Sequence, residues 1–406
     1  MKSFFASFLG TLVAFIVLVL GGGAVLFGLI FMAAAFSEPR AAAVPSGSYL
    51  VFDMRMNITE APAQFDDSVF TAALSGADLP GQFQHRLVVR ALHEAAADDR
   101  IKGVVIKGSF TPNGFGTSFA SLQEIRRALE AVKAAGKPIK AYLEYPDLRD
   151  YYIASVADDI AMDPNGAILM PGLASQPTFY TGAFEKFGVG VQTARAGKFK
   201  SAVEPFTRKQ LSPENREQLQ SILDDLWTEM RDEVAQSRAI EPMALQRLID
   251  EGDAFLAEDV VLHGMVDRLI YLDVFLDELN DATGRTNSDQ PFKQVGLRAY
   301  VSQISQIAAG VEAEAARAGD ESGRVAVVFA EGVIVDGEGR FDQVGGARYA
   351  RAIRQLRQDD SVKAMVLRVN SPGGSATASD QILRELTLAA AEMPVVVSMG
   401  GYAASG

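Results

Sequence analysis

Two stretches of this chain read alike, and that likeness restricts the fold more than any other feature. Asp98-Asp99-Arg100-Ile101-Lys102-Gly103-Val104-Val105-Ile106-Lys107 matches Asp359-Asp360-Ser361-Val362-Lys363-Ala364-Met365-Val366-Leu367-Arg368, 261 positions later. Each follows an amphipathic helical pattern, residues 86–97 or 347–358, and ends in a short apolar run, 104–106 or 365–367. Such a run, bounded by turn residues, predicts a buried strand. Each then enters a turn, Thr111-Pro112-Asn113-Gly114 against Ser371-Pro372-Gly373-Gly374. A second helical pattern follows, 122–135 or 380–391, and a second apolar strand, 138–141 or 394–397. Last, Tyr152-Ile153-Ala154-Ser155 parallels Tyr402-Ala403-Ala404-Ser405. The offset falls from 261 to 256 to 250, so the first copy has the longer connection before its Tyr.

Helix, strand, turn, helix, strand is an α/β unit with a parallel sheet. Two copies predict two related α/β domains in the 406 residues, at residues 46–284 and 324–406. Residues 285–323 are polar with one helix, 301–318, and read as a connection. The second copy stops at the position matching Ser155, where the first continues for about 130 residues more. A second domain cut short after Ser405 is therefore expected.

From Ser3 to Ser37 no residue is charged. About 20 such residues span a bilayer as a helix. A cleaved signal peptide is the alternative, with Ala33-Ala34-Ala35 as its small-residue site, but its apolar region is only about 7–15 residues long. The expectation is a transmembrane anchor over residues 1–37. Lys2 precedes it, while Glu38 and Arg40 cancel after it. That bias keeps the N-terminus cytoplasmic and predicts the body in the periplasm, held at the inner membrane. With 38 Lys and Arg against 51 Asp and Glu, the net charge is −13, which argues against non-specific nucleic-acid binding.

Cysteine is absent, so disulfides, thiolate metal sites and a Cys nucleophile are excluded. The three histidines, His85, His93 and His263, lie outside any glycine-rich setting. Two motifs remain. Asn370-Ser371-Pro372-Gly373-Gly374-Ser375 follows a strand and precedes a helix. It is either an ordinary turn or a place where backbone N–H groups face a developing oxyanion. Ser405, between Ala404 and Gly406, is either a nucleophile on a sharp turn or a helix N-cap. Its counterpart Ser155 is the weaker candidate, being followed by Val156 instead of Gly. A serine nucleophile needs a base. The histidines offer a weak triad. A lysine serves only where its surroundings lower its pKa, and Lys200 stands near Phe199, Val203 and Phe206.

The string Lys200-Ser201-Ala202-Val203-Glu204-Pro205-Phe206, with Asn370–Ser375 and Ala403-Ala404-Ser405-Gly406, resembles the signal peptide peptidase SppA family in its long, two-repeat form. The resemblance includes the N-terminal apolar run and covers nearly the whole chain. It implies two crotonase/Clp-like α/β repeats behind one transmembrane helix. It also implies a membrane-bound serine endopeptidase that degrades released signal peptides, assembled as a homotetramer with the sites inside. By residue matching, Lys200 is the general base and Ser405 the nucleophile, with Gly373, Gly374 and Gly406 as oxyanion-hole donors. No metal or organic cofactor is implied. Family members continue beyond Ser-Gly with another Gly, aromatics and a supporting helix. The competing readings are a membrane-anchored peptide-binding scaffold without catalysis and, more remotely, a crotonase-like acyl-CoA enzyme.

Overall fold

The computed structural model describes residues 44–62, 81–252, 254–285, 291–317 and 323–405. The expected anchor, residues 1–37, lies outside them, as does Gly406. Among the described residues no helix is long and apolar enough to cross a membrane.

Six parallel strands make the larger sheet, in the order Gln294–Gly296, Ser48–Asp53, Ile101–Lys107, Ile139–Leu143, Asp159–Met162, Arg268–Leu269. These strands are apolar on both faces, as a sheet covered on both sides requires. Leu50, Phe52, Val104 and Ile106 enter one core, while Tyr49, Val51, Val105 and Tyr142 enter another. On the first core lies the helix His85–Ala97, whose Val88, Ala91, Leu92 and Ala95 form a buried stripe at helical spacing. Beside it lies Phe119–Ala134, which buries Leu122, Ile125 and Leu129. The Ser118 side chain accepts from the Ser121 N–H and caps this helix, so it begins ahead of the expected residue 122. The second core is closed by Phe275 and Leu279 of the helix Leu272–Ala282.

Residues 285–323, expected as a connection, contribute to this larger body. The strand Gln294–Gly296 pairs with Ser48–Asp53. The helix Leu297–Arg317 buries Leu297, Tyr300, Val301 and Ile304 in the first core. A boundary at residue 284 would cut an edge strand from its sheet. A three-residue strand after a polar run carries no periodicity to read.

The smaller sheet holds Arg324–Glu331, Val362–Ser371 and Val395–Ala403, all parallel, with Val362–Ser371 in the middle. Helices Gly346–Arg357 and Ala376–Glu392 cover one face, packing Ile353, Ile382 and Ala389 with Met365 and Leu367. A short parallel pair, Val333–Val335 with Gln343–Gly345, belongs to this body, and Met56–Thr59 with Gly81–Gln84 belongs to the larger one. From its first strand each body runs through two short strands, a helix, a strand, a helix and a strand. They part afterwards. The larger turns into the helix Leu148–Ala154, opened by a capping box between Asp147 and Asp150. The smaller stays extended to Ala403.

The described residues from 44 to 405 form one compact unit. Within it the two sheets' bodies meet through charged groups. Arg368 donates to Glu60 Oε1 at 2.8 Å, Glu60 Oε2 at 3.0 Å, Glu124 Oε1 at 2.9 Å and Ser398 Oγ at 2.8 Å. His85 lies 3.6 Å from Glu60 and 3.8 Å from Glu124. Burial holds the His85 pKa below its ordinary value despite both carboxylates. A cleft of about 390 Å³ opens here, lined by His85, Glu124, Val327, Phe329 and Arg368.

Candidate active site

The turn after Val362–Ser371 is held by one local hydrogen bond and three to the segment Gly332–Ile334. Ser371 Oγ donates to the Gly332 carbonyl at 2.7 Å and accepts from the Gly373 N–H at 3.1 Å. The Ile334 N–H donates to the Gly373 carbonyl and the Ser375 N–H to the Ile334 carbonyl, both at 2.9 Å. These two bonds bracket Gly374 in a parallel bridge with Ile334. In such a bridge the central residue's own N–H points to the opposite side. Among the described residues, that N–H of Gly374 carries no hydrogen bond. Ser375 then caps Ala376–Glu392, its Oγ accepting from the Ala378 N–H at 3.2 Å.

Both glycines are required by space as well as by backbone conformation. Gly373 has φ +92° and Gly374 φ +155°, values that side-chain-bearing residues rarely adopt. A Cβ on Gly374 would strike the Ile334 backbone, and one on Gly373 would strike the Ser405 carbonyl. Ser405 therefore packs directly on the glycine turn.

The neighbouring strand delivers it there. Val395–Ala403 runs beside Val362–Ser371 up to the pairing of Ala403 with Ser371. The Ala404 N–H then donates to the Ser371 carbonyl at 3.1 Å. Ser405 itself is solvent-exposed and has φ 34°. A positive φ is uncommon for a residue other than glycine and concentrates at functional turns.

Ser155 is in the opposite situation. It is fully buried and follows the last residue of Leu148–Ala154. Its Oγ donates to the Tyr152 carbonyl at 3.0 Å and accepts from Arg126 Nη1 at 2.9 Å. Its hydroxyl braces the buried Arg126 and is closed to substrate.

Lys200 is not joined to Ser405 by any hydrogen bond among the described residues. Its carbonyl accepts from Arg195 Nη1 at 3.2 Å, while its amine has neither hydrogen bond nor ion pair among those residues. The apolar surroundings expected for it do not form among the described residues, where Lys200 is exposed. Tyr180, Phe184 and Phe206 pack on one another, with ring centroids 5.8–6.4 Å apart. Phe199 lies under the Lys198 amine. The Lys200 side chain is left exposed. Glu204 anchors this segment to the helix Pro213–Arg238, accepting from the Ser212 N–H and from Asn215 Nδ2, both at 3.1 Å. None of the three histidines hydrogen-bonds to Ser405 among the described residues.

The structure thus brings together Ser405 and the Gly373-Gly374 turn, and shows no hydrogen bond from Lys200 to them among the described residues. It also places Asn370 and Glu331 beneath the turn, with Asn370 Nδ2 2.8 Å from Glu331 Oε1. Asn370 stood in a recognised string, but nothing in the local pattern marks Glu331 as its partner. An exposed serine packed on a glycine turn with an unengaged N–H is an arrangement suited to acyl transfer.

Comparison with known proteins follows the same line. Residues 131–285 match the family model described as Peptidase family S49. The chain is 36% identical over 329 residues to "Protease 4" of Salmonella typhi, covering 79% of this chain and 50% of that protein. It is 33% identical over 345 residues to "Protease 4" of Haemophilus influenzae, covering 82% and 54%. It is 30% identical over 367 residues to "Serine protease SPPA, chloroplastic" of Arabidopsis thaliana, covering 89% and 50%. The chain spans about half the length of the curated relatives it matches.

Proposed function

Because this chain belongs to peptidase family S49, we propose that it is a serine endopeptidase working through a Ser-Lys dyad. Ser405 is the nucleophile and Lys200 the general base. Neutral Lys200 takes the Ser405 proton as Oγ attacks the scissile carbonyl. The amine product leaves with that proton, and water hydrolyses the acyl-enzyme. Backbone N–H groups hold the oxyanion. Gly374 suits this better than Gly373, whose N–H is given to Ser371. Gly406 is the further donor.

The observation that carries this reading is the seating of exposed Ser405, at positive φ, on the Gly373-Gly374 turn. A lysine base works only when desolvated, and Lys200 is exposed in the single chain. Assembly as a homotetramer with enclosed sites, which the family resemblance implies, would supply that cover. Signal peptides and other apolar peptides are the proposed substrates. An extended segment can add along a sheet edge, and Val395–Ala403 exposes Val396, Val397, Met399 and Tyr402. The matching element order of the two bodies supports a two-repeat, crotonase/Clp-like architecture. The uncharged run from Ser3 to Ser37 supports an inner-membrane anchor with a periplasmic body.

Lys200→Ala and Ser405→Ala are each expected to lower kcat on an apolar peptide by about 10⁴-fold or more, with circular dichroism unchanged. Unchanged cleavage in either variant sinks the dyad. A peptide-binding scaffold is the second reading, favoured by the exposure of Lys200, whose amine makes no hydrogen bond to Ser405 among the described residues. Peptide binding by the wild type without any cleavage would establish it.

A further inference from the structure

Asn370 is 1% exposed and lies in the strand Val362–Ser371, just ahead of the glycine turn. Its side-chain amide makes three hydrogen bonds. Oδ1 accepts from the Tyr402 N–H at 3.1 Å, while Nδ2 donates to the Phe115 carbonyl at 3.1 Å and to Glu331 Oε1 at 2.8 Å. A donor on one side and two acceptors on the other leave only one orientation of the amide. Tyr402 is three residues ahead of Ser405, and Phe115 belongs to the larger body. Their rings meet edge to face, centroids 5.3 Å apart. Glu331 extends the connection. Its carboxylate accepts from the Glu60 N–H at 3.3 Å and the Ala61 N–H at 2.7 Å, both also in the larger body. Close by, Gly401 lies so near Ser118 that a Cβ would strike its side chain.

One buried amide on the strand carrying the glycine turn therefore touches the end of the serine-bearing strand, Glu331 at the end of the strand Arg324–Glu331, and the loop of the other body. We propose that Asn370 is a positioning residue for Ser405, and that through Phe115 and Glu331 it makes the larger body part of the framework holding the nucleophile. The proposal rests on Ser405 being that nucleophile. Without the amide, the Tyr402 N–H, the Phe115 carbonyl and Glu331 lose their shared partner. Ser405 then loses its fixed distance to the Gly374 N–H. Small misplacements of reacting groups cost far more in rate than in binding.

The test uses the full chain, with Asn370→Ala, Asn370→Asp and the double variant Asn370→Asp/Glu331→Gln measured beside wild type and Ser405→Ala. Asn370→Ala is expected to lower kcat on an apolar peptide about ten- to hundred-fold, with KM within about two-fold below the melting range. Asn370→Asp sets a second carboxylate against Glu331. A protonated acid there can donate to Glu331 and a carboxylate cannot, so its kcat relative to wild type falls as pH rises. Glu331→Gln in the double variant returns a donor from the other side and flattens that ratio. A residue that merely braced the fold would lower the melting temperature and leave kcat of the folded protein and the pH ratio unmoved. That result, with Ser405→Ala inactive, overturns the proposal. Should Asn370→Ala fail to fold, the pH ratio of Asn370→Asp decides. Activity retained by Ser405→Ala removes the nucleophile assignment itself, and is told apart because it needs no change at residue 370.

Discussion

Ser155 and Ser405 stand at the ends of similar runs of strands and helices, yet the chain treats them in opposite ways. After Ile139–Leu143 the backbone enters a capped helix, and Ser155 ends buried against Arg126. After Val395 the backbone stays extended, and Ser405 ends exposed on a glycine turn. The matching turns differ as well. Gly373 and Gly374 let the Ser405 and Ile334 backbones approach. In the larger body, the loop of residues 113–118 holds Asn57, with Asn113 and Thr117 bonded to its amide, and gives Asn370 its Phe115 partner. One body provides the exposed Ser405 on its glycine turn and the other the loop that bonds Asn370 before that turn. The difference lies in capping residues and glycines, while the strand order is shared.

The strongest way to break this comparison is to separate the bodies. Arg368→Gln removes the cation that joins the smaller sheet to Glu60, whose side chain is 3% exposed. Leaving a buried carboxylate without its partner costs about 3 kcal/mol or more. Urea unfolding should report that loss, and a midpoint equal to wild type would show that the junction does not hold the bodies. Ser155→Ala is a smaller probe. It removes one acceptor from Arg126 and should cost about 1–2 kcal/mol with kcat preserved. A large fall in kcat would mean that the buried serine, not the exposed one, serves the reaction.

A pH-dependent probe concerns the cap that separates the two paths. Asp150 is pushed up to about 6, chiefly by burial and then by Asp147, against an ordinary value of 3.8. Its folded pKa therefore lies above its unfolded one. The stability it contributes is fully present below about pH 4 and is lost as pH rises through 6. Asp150→Asn should remove this part of the pH dependence between pH 4 and pH 7, measured by thermal melts. Identical slopes in variant and wild type would refute it.

Much of this was readable along the chain. Val104–Ile106 announces a strand buried on both faces because a covered parallel sheet needs unbroken apolar runs, whereas the similar run Met365–Leu367 marks its strand but buries only Met365 and Leu367, with Val366 half-buried on the face the helices leave open. The stripe from Val88 to Ala95 announces its helix by period. The strand Gln294–Gly296 was not readable, since three residues carry no period. Nor was the path of Tyr402 to Ser405. Its similarity to Tyr152–Ser155 suggests a common conformation, whereas the Asp147–Asp150 cap makes one segment helical and pairing with Ser371 keeps the other extended.

By itself, the amino-acid sequence determined that the chain forms parallel α/β bodies, that it lacks thiol chemistry, and that Gly373, Gly374, Lys200 and Ser405 are its candidate reactive residues. Those properties follow from local periodicity and residue chemistry. Only the tertiary structure decided that Ser405 packs on Gly373, that Lys200 stands exposed without a bond to it, and that Asn370 ties the two bodies beneath the turn. The last depends on a contact between residues 255 positions apart, Asn370 and Phe115. Burial decides which partner a polar group must find there, because an unpaired group in the interior is too costly to leave.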